Sequence, residues 1–275
     1  MKPVRVSIIT PCRNARELIG ETIDSVLRQR AVTSGRVELQ YLVCDGASTD
    51  GTAEAVRETG SGLVELVSER DLGMYDALAK GLRRATGDIV AYLNAGDYYH
   101  PNALDVVADV FARERLSWIT GYNTIYNEQG AVTNASLPYR YRPSLFECGA
   151  YGRWLPFVQQ ESTFWRRSLM DGLDFEALAS LRFAGDAFLW AAFARRSPLH
   201  VVQAMLGGFR FHRGQLSENR DAYLSEMRSF AKAPGPVDLA TIAFDRLAWY
   251  LPPRAKKALN ASEMLVYEHG TGQWR

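Results

Sequence analysis

Ile89-Val90-Ala91-Tyr92-Leu93 is followed directly by Asn94-Ala95-Gly96-Asp97, so an unbroken apolar run ends in a polar loop. A continuously apolar run of this length is typical of a central strand in a parallel sheet, which is covered on both faces. Three earlier apolar runs, each also followed by a polar loop, predict further strands at Val4–Thr10, Val37–Cys44 and Leu63–Val67. The repeated pattern predicts four strands in the first hundred residues.

Helical patterns separate these strands. Asn14 is a candidate helix cap, with Glu17 three residues later as its capping-box partner. Helices are also predicted over Thr52–Glu58 and Met74–Ala85, and Pro101 can open a further one. Strands that alternate with helices indicate an α/β fold with a mostly parallel sheet flanked by helices.

The four polar loops are expected to form one site, because ligands bind beyond the carboxyl ends of the strands in open sheets of this kind. The loops contain acids, an arginine and short flexible residues, which suits a sugar nucleotide and a divalent metal. They are Thr10–Asn14, Asp45–Gly51, Ser68–Gly73 and Asn94–Asp97.

Composition excludes several classes of protein. The formal net charge of the 275 residues is +1, so no basic field argues for nucleic acid. Three cysteines without metal-ligand spacing argue against a disulfide framework and fit a reducing compartment. Neither a signal peptide nor an apolar stretch of bilayer length is evident. We therefore expect a cytoplasmic protein.

The second half of the chain is less regular. Trp118–Tyr126 is predicted as a strand, with a turn at 127–130 and a returning strand. Residues 137–157 are rich in aromatic side chains and lack periodicity, as binding surfaces often do. A helix is predicted over Arg182–Arg196, a strand over Leu206–Phe211, and a helical tail over Val237–Leu259 that is broken by two prolines.

The ordered motifs resemble those of family 2 glycosyltransferases of the GT-A fold. The resemblance is strong over residues 4–105 and weaker over 150–217. Its motifs are Ser7–Asn14, Leu42–Thr52, Ser68–Leu78, Ala85–Asp88, Tyr92–Asp97, Gln159–Arg167 and Gly185-Asp186. It implies a GT-A domain over 1–218, with a nucleotide-sugar half (1–105) and an acceptor half (106–218), followed by a C-terminal helical extension (219–275).

By this resemblance, the first four loops bind a nucleoside-diphosphate sugar based on UDP, GDP or dTDP. Asp45 would accept from the base, although it could instead only start an Asx-turn. Asp50 is better explained as a helix cap. Arg70 could meet the base or diphosphate, or be a solvated surface residue. The expected donor-binding residues are Thr10, Pro11, Cys12, Asn14, Asp45, Arg70, Asn94, Ala95 and Gly96.

The Asn94–Asp97 loop departs from the family pattern. The family usually has an acidic cluster here that binds a divalent cation, Mn²⁺ or Mg²⁺, whereas this chain keeps only Asp97. One carboxylate is sufficient if the donor phosphates supply other oxygen ligands. Asp97 is therefore the expected metal ligand, and His212 is a second candidate that could equally be structural.

Asp186 is the expected catalytic base. Family 2 enzymes are expected to invert the anomeric carbon, and inversion needs a carboxylate that removes a proton from the acceptor hydroxyl. Glycine precedes Asp186 where the family often has a second acid. Asp186 could instead only cap the helix or interact favourably with its dipole. Glu161 is the second candidate for the base. Gln160, Glu161 and Trp154 are the expected acceptor-binding residues.

The resemblance thus implies an inverting glycosyltransferase that acts on a saccharide or lipid-linked saccharide in bacterial surface polysaccharide biosynthesis. A non-catalytic sugar-nucleotide-binding module is the main alternative, because the acidic cluster is thinned. A nucleotidyltransferase or a dinucleotide dehydrogenase would need a glycine-rich loop after the first strand, and Thr10–Asn14 has no glycine. Aromatic and cationic residues over 249–257 could contact the inner face of the membrane, or belong to a C-terminal helix that only packs on the core. A homo-oligomer is left open.

Overall fold

The computed structural model describes residues 2–112, 116–211 and 215–275. Its strands are β1 (Val4–Cys12), β2 (Val37–Asp45), β3 (Glu65–Ser68), β4 (Ile89–Tyr92), β5 (Tyr98–Tyr99), β6 (Trp118–Thr120), β7 (Asn123–Tyr126), β8 (Val132–Ser136), β9 (Phe164–Arg166), β10 (His200–Val202), β11 (Gly207–Arg210), β12 (Met264–Leu265), β13 (Tyr267–Glu268) and β14 (Gln273–Trp274).

The helices are α1 (Arg16–Leu27), α2 (Arg30–Thr33), α3 (Thr52–Gly60), α4 (Met74–Arg84), α5 (Ala103–Phe111), α6 (Pro143–Glu147), α7 (Phe175–Ser180), α8 (Gly185–Ala194), α9 (Arg220–Phe230), α10 (Pro236–Ala248) and α11 (Pro253–Leu259). Single 3₁₀ turns lie at Gln160–Ser162, Arg167–Met170 and Leu216–Glu218.

An eight-stranded sheet forms the centre of the fold, in the order β12-β10-β6-β9-β4-β1-β2-β3. All neighbouring strands run parallel except at β9, which is antiparallel to both β4 and β6. The residues of β4 are fully buried, as expected for a central strand. The predicted α/β class with a mostly parallel sheet is confirmed, and the predicted strands and helices of residues 4–93 are found within a few residues of their expected bounds.

The predicted cap of α1 is wrong. Asn14 has a left-handed backbone with φ of 49°, and the helix begins at Arg16 instead. The amides of Ala15 and Arg16 are satisfied from the second loop, by the Thr52 hydroxyl at 2.8 Å and the Asp50 carboxylate at 3.1 Å. Asp50 also accepts from the Thr52 amide at 3.0 Å, one residue before the N-cap position of α3, which is Gly51.

Residues 118–126 do not form one strand. The chain is divided between β6, which belongs to the central sheet, and β7, which belongs to a smaller sheet in the order β5-β11-β7-β8. Gly121 lies between the two strands in a position without room for a side chain, since a Cβ there would be 2.4 Å from the Ala204 carbonyl oxygen. The expected hairpin about residues 127–130 is confirmed as β7 and β8.

Residues 219–275 pack against the rest of the fold and are not helical throughout. The strand β12 pairs in parallel with β10 and extends the central sheet. Arg142 forms two hydrogen bonds, of 2.8 and 3.0 Å, with the carboxylate of Asp245 in α10. The Asp245 side chain is fully buried, so this ion pair fixes α10 to the segment before α6.

Replacing Arg142 with alanine should destabilise the protein by about 3 kcal/mol, because the change leaves the Asp245 carboxylate buried without its counter-ion. Chemical denaturation would measure the change. Arg28→Ala is the matched control, since its ion pair with Asp24 is solvent-exposed and its loss should cost about 0.5 kcal/mol. Equal losses in the two variants would contradict the importance of the buried pair.

Candidate active site

The first two loops at the carboxyl ends of the strands are bound to each other. The Asn14 amide donates to the Ser48 hydroxyl at 2.7 Å, and the Asn14 side-chain oxygen accepts from the Thr49 amide at 3.0 Å. The Gly46 amide donates to the Cys12 carbonyl oxygen at 2.9 Å. These loops therefore form one rigid wall at the edge of β1 and β2.

The expected donor residues of β1 face inward. Thr10, Pro11 and Cys12 are all buried, and the Thr10 hydroxyl lies 3.0 Å from the Tyr41 hydroxyl in the core. Burial raises the pKa of the Cys12 thiol, with Asp45 adding to the shift. The thiol is therefore held in its neutral form.

Asp45 at the end of β2 organises the second and third loops. Its carboxylate accepts from the Ser48 amide at 3.2 Å, from the Ser48 hydroxyl, and from the Ser68 hydroxyl at 2.6 Å. The contact between Asp45 and the Ser48 amide is a local turn of the kind expected as the alternative to ligand binding. Both oxygens of this buried carboxylate are engaged by the two serines.

Asp71 is a site residue to which sequence reasoning gave no role. Its carboxylate packs on Gly46, where a Cβ would lie 2.3 Å from an Asp71 oxygen. Burial raises the pKa of Asp71, and both the Gly73 amide and Arg13 oppose the shift. Arg13 and Arg70 are exposed at the same edge, which gives this wall two cations.

The Asn94–Asp97 loop is fixed by α1 and β11. Thr22 accepts from the Gly96 amide at 2.8 Å and donates to the Asp97 carbonyl oxygen at 3.0 Å. The Asp97 carboxyl group accepts from the Arg210 amide at 2.8 Å. Gly96 has a left-handed φ of 104°, which favours glycine at that position.

Asp97 and Glu161 form a buried pair of acids. Burial raises the pKa of Asp97 well above its ordinary range, and the charge of Glu161 adds to the shift. Burial raises the pKa of Glu161 to about 7, while hydrogen bonds from Gln160 and Asp97 oppose that shift. The Gln160 amide donates to Glu161 at 2.6 Å. Burial and the neighbouring acid thus both disfavour the charged form of Asp97.

Asp186 lies in the first turn of α8 and keeps part of its surface accessible. Burial raises the pKa of Asp186 to about 6, while hydrogen bonds from the Ala187 amide and the Tyr223 and Tyr75 hydroxyls oppose the shift. The Ala187 amide is 2.7 Å away and the Tyr75 hydroxyl 3.5 Å. A carboxylate whose pKa lies near neutrality suits a general base.

Gly185 has a steric reason to replace an acid. A Cβ at this position would lie 2.3 Å from the Tyr75 ring, so the ring occupies the space of a side chain. A cavity of about 20 Å³, room for one water, adjoins Asp186. Aromatic side chains dominate its lining, with Phe146, Tyr151, Phe157, Trp190 and Tyr223.

The remaining expected residues have different surroundings. Gln160 and Glu161 are buried beside the Asn94–Asp97 loop. Trp154 is half-buried and stacks under the Arg153 guanidinium, which lies 3.9 Å from the ring centroid. His212 lies outside the described residues, so its role as a metal ligand stays a prediction.

The donor set near Asp97 is compatible with a divalent cation. The Asn94 side-chain oxygen is buried and has no hydrogen-bond partner among the described residues. It would supply a neutral oxygen ligand next to the Asp97 carboxyl group. No cluster of three His, Cys, Asp or Glu ligands exists within the described parts of the chain. Mg²⁺ and Mn²⁺ sites that include phosphate oxygens and waters need only one or two protein ligands.

A family profile matches the chain over residues 7–172, under the description glycosyl transferase family 2. The chain belongs to this family. The matched residues include all four loops and the Asp97–Glu161 pair, whereas Asp186 lies beyond them. The family assignment therefore covers the donor side of the site directly.

Curated relatives agree with the assignment. The chain is 32% identical over 147 residues to the Escherichia coli enzyme WfgD, a UDP-Glc:α-D-GlcNAc-diphosphoundecaprenol β-1,3-glucosyltransferase. The match covers 52% of this chain and 56% of WfgD. The chain thus spans about half the length of the curated relatives it matches.

Solved structures share the fold. Residues 1–349 of TarS from S. aureus superpose with a TM-score of 0.60 at 16% identity, covering 92% of this chain and 68% of that one. The mannosyltransferase PcManGT from Pyrobaculum calidifontis, in complex with GDP-Man and Mn²⁺, gives a TM-score of 0.59 at 21% identity. The superposition covers 94% of this chain and 75% of the PcManGT chain.

The raised pKa of Glu161 should make stability fall as pH rises from about 4.5 to about 7. In that window the folded protein retains a proton that the unfolded chain has released, so unfolding is favoured by higher pH. Glu161→Gln cannot titrate and should flatten this slope, by at most about 1.4 kcal/mol per pH unit. Urea denaturation from pH 5 to 7 in metal-free buffer measures the slope. The exposed Glu17→Gln is the control, and an unchanged slope in Glu161→Gln would contradict the assignment.

Proposed function

We propose that the protein transfers a sugar, with inversion, from a nucleoside-diphosphate sugar to a saccharide or lipid-linked saccharide acceptor. The observation that carries the proposal is the position of Asp186. This partly accessible carboxylate lies 3.5 Å from the hydroxyl group of Tyr75, which follows the Ser68–Gly73 loop by two residues. The proposed base thus lies beside a loop expected to hold the donor.

The donor side supports a nucleotide slot. The joined loops of Asn14 and Asp45 form one wall for the nucleoside, and Arg13 and Arg70 are available to the diphosphate. Asn94 and Asp97 would hold the divalent cation. When bound, such a cation offsets negative charge on the departing nucleoside diphosphate. The names of the neighbouring structures, with UDP-GlcNAc in TarS and GDP-Man in PcManGT, leave the base open.

The acceptor step is assigned to Asp186. Its carboxylate takes the proton from the attacking acceptor hydroxyl, and the new bond forms on the face of the sugar opposite the leaving group. Tyr75 and Tyr223 keep the carboxylate oriented through their hydroxyl groups. Phe157, which lines the cavity beside Asp186 and is 43% exposed, supplies apolar surface that can pack on the face of a sugar ring.

Asp186→Asn should lower transfer by about 10²–10⁴-fold while donor binding is unchanged, because the amide cannot accept the proton. A thermal-shift panel of UDP-, GDP- and dTDP-sugars with and without Mn²⁺ identifies the donor, since a ligand stabilises the state that binds it. Transfer is then measured with that donor. Asp24→Asn, on the outer side of α1, is the control. Near-normal turnover in Asp186→Asn would refute the assignment, and donor binding by the unaltered protein without turnover would favour the binding module.

A lipid-linked acceptor gives a role to α10. No helix within the described residues is long and apolar enough to cross a bilayer. The outer side of α10 is nevertheless apolar and exposed, and it continues to Tyr250, which is 91% exposed. The exposed apolar side chains are Val237, Leu239, Phe244, Leu247 and Tyr250.

We propose that this outer side of α10 lies on an anionic lipid surface. The exposed Arg246 and Arg254 provide complementary charge, and WfgD, by its name, acts on a diphosphoundecaprenol-linked sugar. Trp249 and Lys256 do not contribute as the sequence indicated, because both side chains are buried. The Lys256 ammonium group donates to the Leu137 carbonyl oxygen at 2.6 Å. The contact is therefore assigned to the helix and not to residues 249–257 as a whole.

Flotation with phosphatidylglycerol vesicles should recover the protein, and the double change Phe244→Glu with Leu247→Glu should reduce recovery at least about tenfold by removing the apolar contact. Leu63→Glu is the matched control, because Leu63 is an exposed leucine outside the helix. Equal recovery of the two variants would refute the proposal. If neither the unaltered protein nor the variants float with the vesicles, and the unaltered protein forms a concentration-dependent dimer that the double variant does not form, this side of α10 contacts a second copy of the chain.

A further inference from the structure

The helix α9 binds the N-terminus of α8, the helix that carries Asp186. The carboxylate of Glu226 accepts three backbone hydrogen bonds, from Arg182 at 2.8 Å and from Phe183 and Ala184 at 2.7 Å each. All three amides lie just before α8, which begins at Gly185, and Ala184 is its N-cap residue. A negative charge at this end also interacts favourably with the helix dipole.

Tyr223 lies one turn before Glu226, so both side chains are on the same side of α9. Tyr223 and Asp186 line the same small cavity, and the Tyr223 hydroxyl group opposes the rise in the pKa of Asp186. The Tyr223 ring packs edge-on against Phe157, with 5.3 Å between ring centroids. The Tyr75 hydroxyl approaches Asp186 from α4 and also donates to the Phe183 carbonyl oxygen at 3.2 Å. The carboxylate is therefore held between two tyrosines from opposite elements.

Further contacts hold α9 in place. Phe230 packs edge-on against Phe188 of α8, with 5.6 Å between ring centroids. After the helix, the Lys232 ammonium group and amide bind Glu147 at 2.5 and 2.8 Å. The helix thus joins α8 to the aromatic segment on the other side of the cavity, and a small movement of α9 would change the position of Asp186.

We propose that α9 is a positioning element of the acceptor side, in which Glu226 fixes the turn that carries Asp186 and Tyr223 orients the Asp186 carboxylate. The inference rests on the proposed function of Asp186. The family profile ends at residue 172, so these contacts come from the part of the chain that the family match does not cover. They assign a role in the reaction to the region predicted as a C-terminal extension.

The Glu226 contact is tested by amide hydrogen exchange and by kinetics. Glu226→Ala should speed exchange of the amides of residues 182–184 by at least about tenfold and lower kcat by a similar factor, with the donor KM unchanged. Glu226→Gln should retain part of the exchange protection and part of kcat, since the glutamine side-chain oxygen still accepts hydrogen bonds. Asp238→Ala is the control, because Asp238 accepts from the Gly235 amide at 2.9 Å and so caps α10 in the same way. Unchanged exchange at 182–184, or an equal loss of kcat in Asp238→Ala, would overturn the proposal.

The Tyr223 contact is tested by the pH profile of kcat. The groups that face Asp186 are the Tyr75 and Tyr223 hydroxyls, the Ala187 amide and, at longer range, Glu161. Tyr223→Phe removes a donor to the carboxylate, so the pKa of Asp186 rises and the acid limb of the profile moves up by about half a pH unit. Tyr267→Phe, at an exposed site in the C-terminal segment that has no assigned role, should leave the limb unchanged. An unmoved limb in Tyr223→Phe would overturn the role.

The exchange measurement needs no substrate. Absence of transfer with every donor would refute the proposed function, whereas exchange at residues 182–184 reports on the Glu226 contact by itself. The two failures are therefore distinguishable.

Discussion

The buried carboxyl group of Asp97 connects the main parts of the molecule. Its backbone is held by Thr22 of α1, its side chain accepts from the Arg210 amide in the smaller sheet, and it pairs with Glu161 ahead of β9. The hydrogen bond from the Arg210 amide offsets part of the cost of burying this acid. The relative position of the two sheets, and hence the shape of the site, depends on this group.

The arrangement divides the chemistry between two sides of the Asp97–Glu161 pair. On one side, loops at the carboxyl ends of β1 to β4 are tied together by short hydrogen bonds and present two exposed arginines. On the other, Asp186 is surrounded by aromatic side chains and by two tyrosine hydroxyls. The proposed donor side and the proposed base thus have different surroundings: the first is rich in exposed charge, and the second is partly desolvated.

The features predicted from sequence are those set by local pattern. The strand and helix order of residues 4–93 follows from apolar runs and turn residues, and the position of the four loops follows from the parallel sheet. The cap at Asn14 failed because its partners are remote: Ala15 is bonded by Thr52, 37 residues away. The same holds for Arg210 with Asp97 and for Glu226 with Phe183, which are 113 and 43 residues apart. No periodicity marks such contacts, since they depend on how whole elements pack.

The two tyrosines on Asp186 also bear on the order in which the site assembles. The loops at Thr10–Asn14, Asp45–Gly51 and Ser68–Gly73 are bonded to one another within the first 73 residues, whereas Tyr75 meets Asp186 across 111 residues and Tyr223 follows later in the chain. Segments that join through such distant contacts tend to form, and to open, as separate cooperative units. A nascent or partly unfolded chain could therefore retain its nucleotide wall while lacking a formed base. In that state a bound donor would have no oriented carboxylate beside it, so premature activation of water or of the wrong hydroxyl would be avoided.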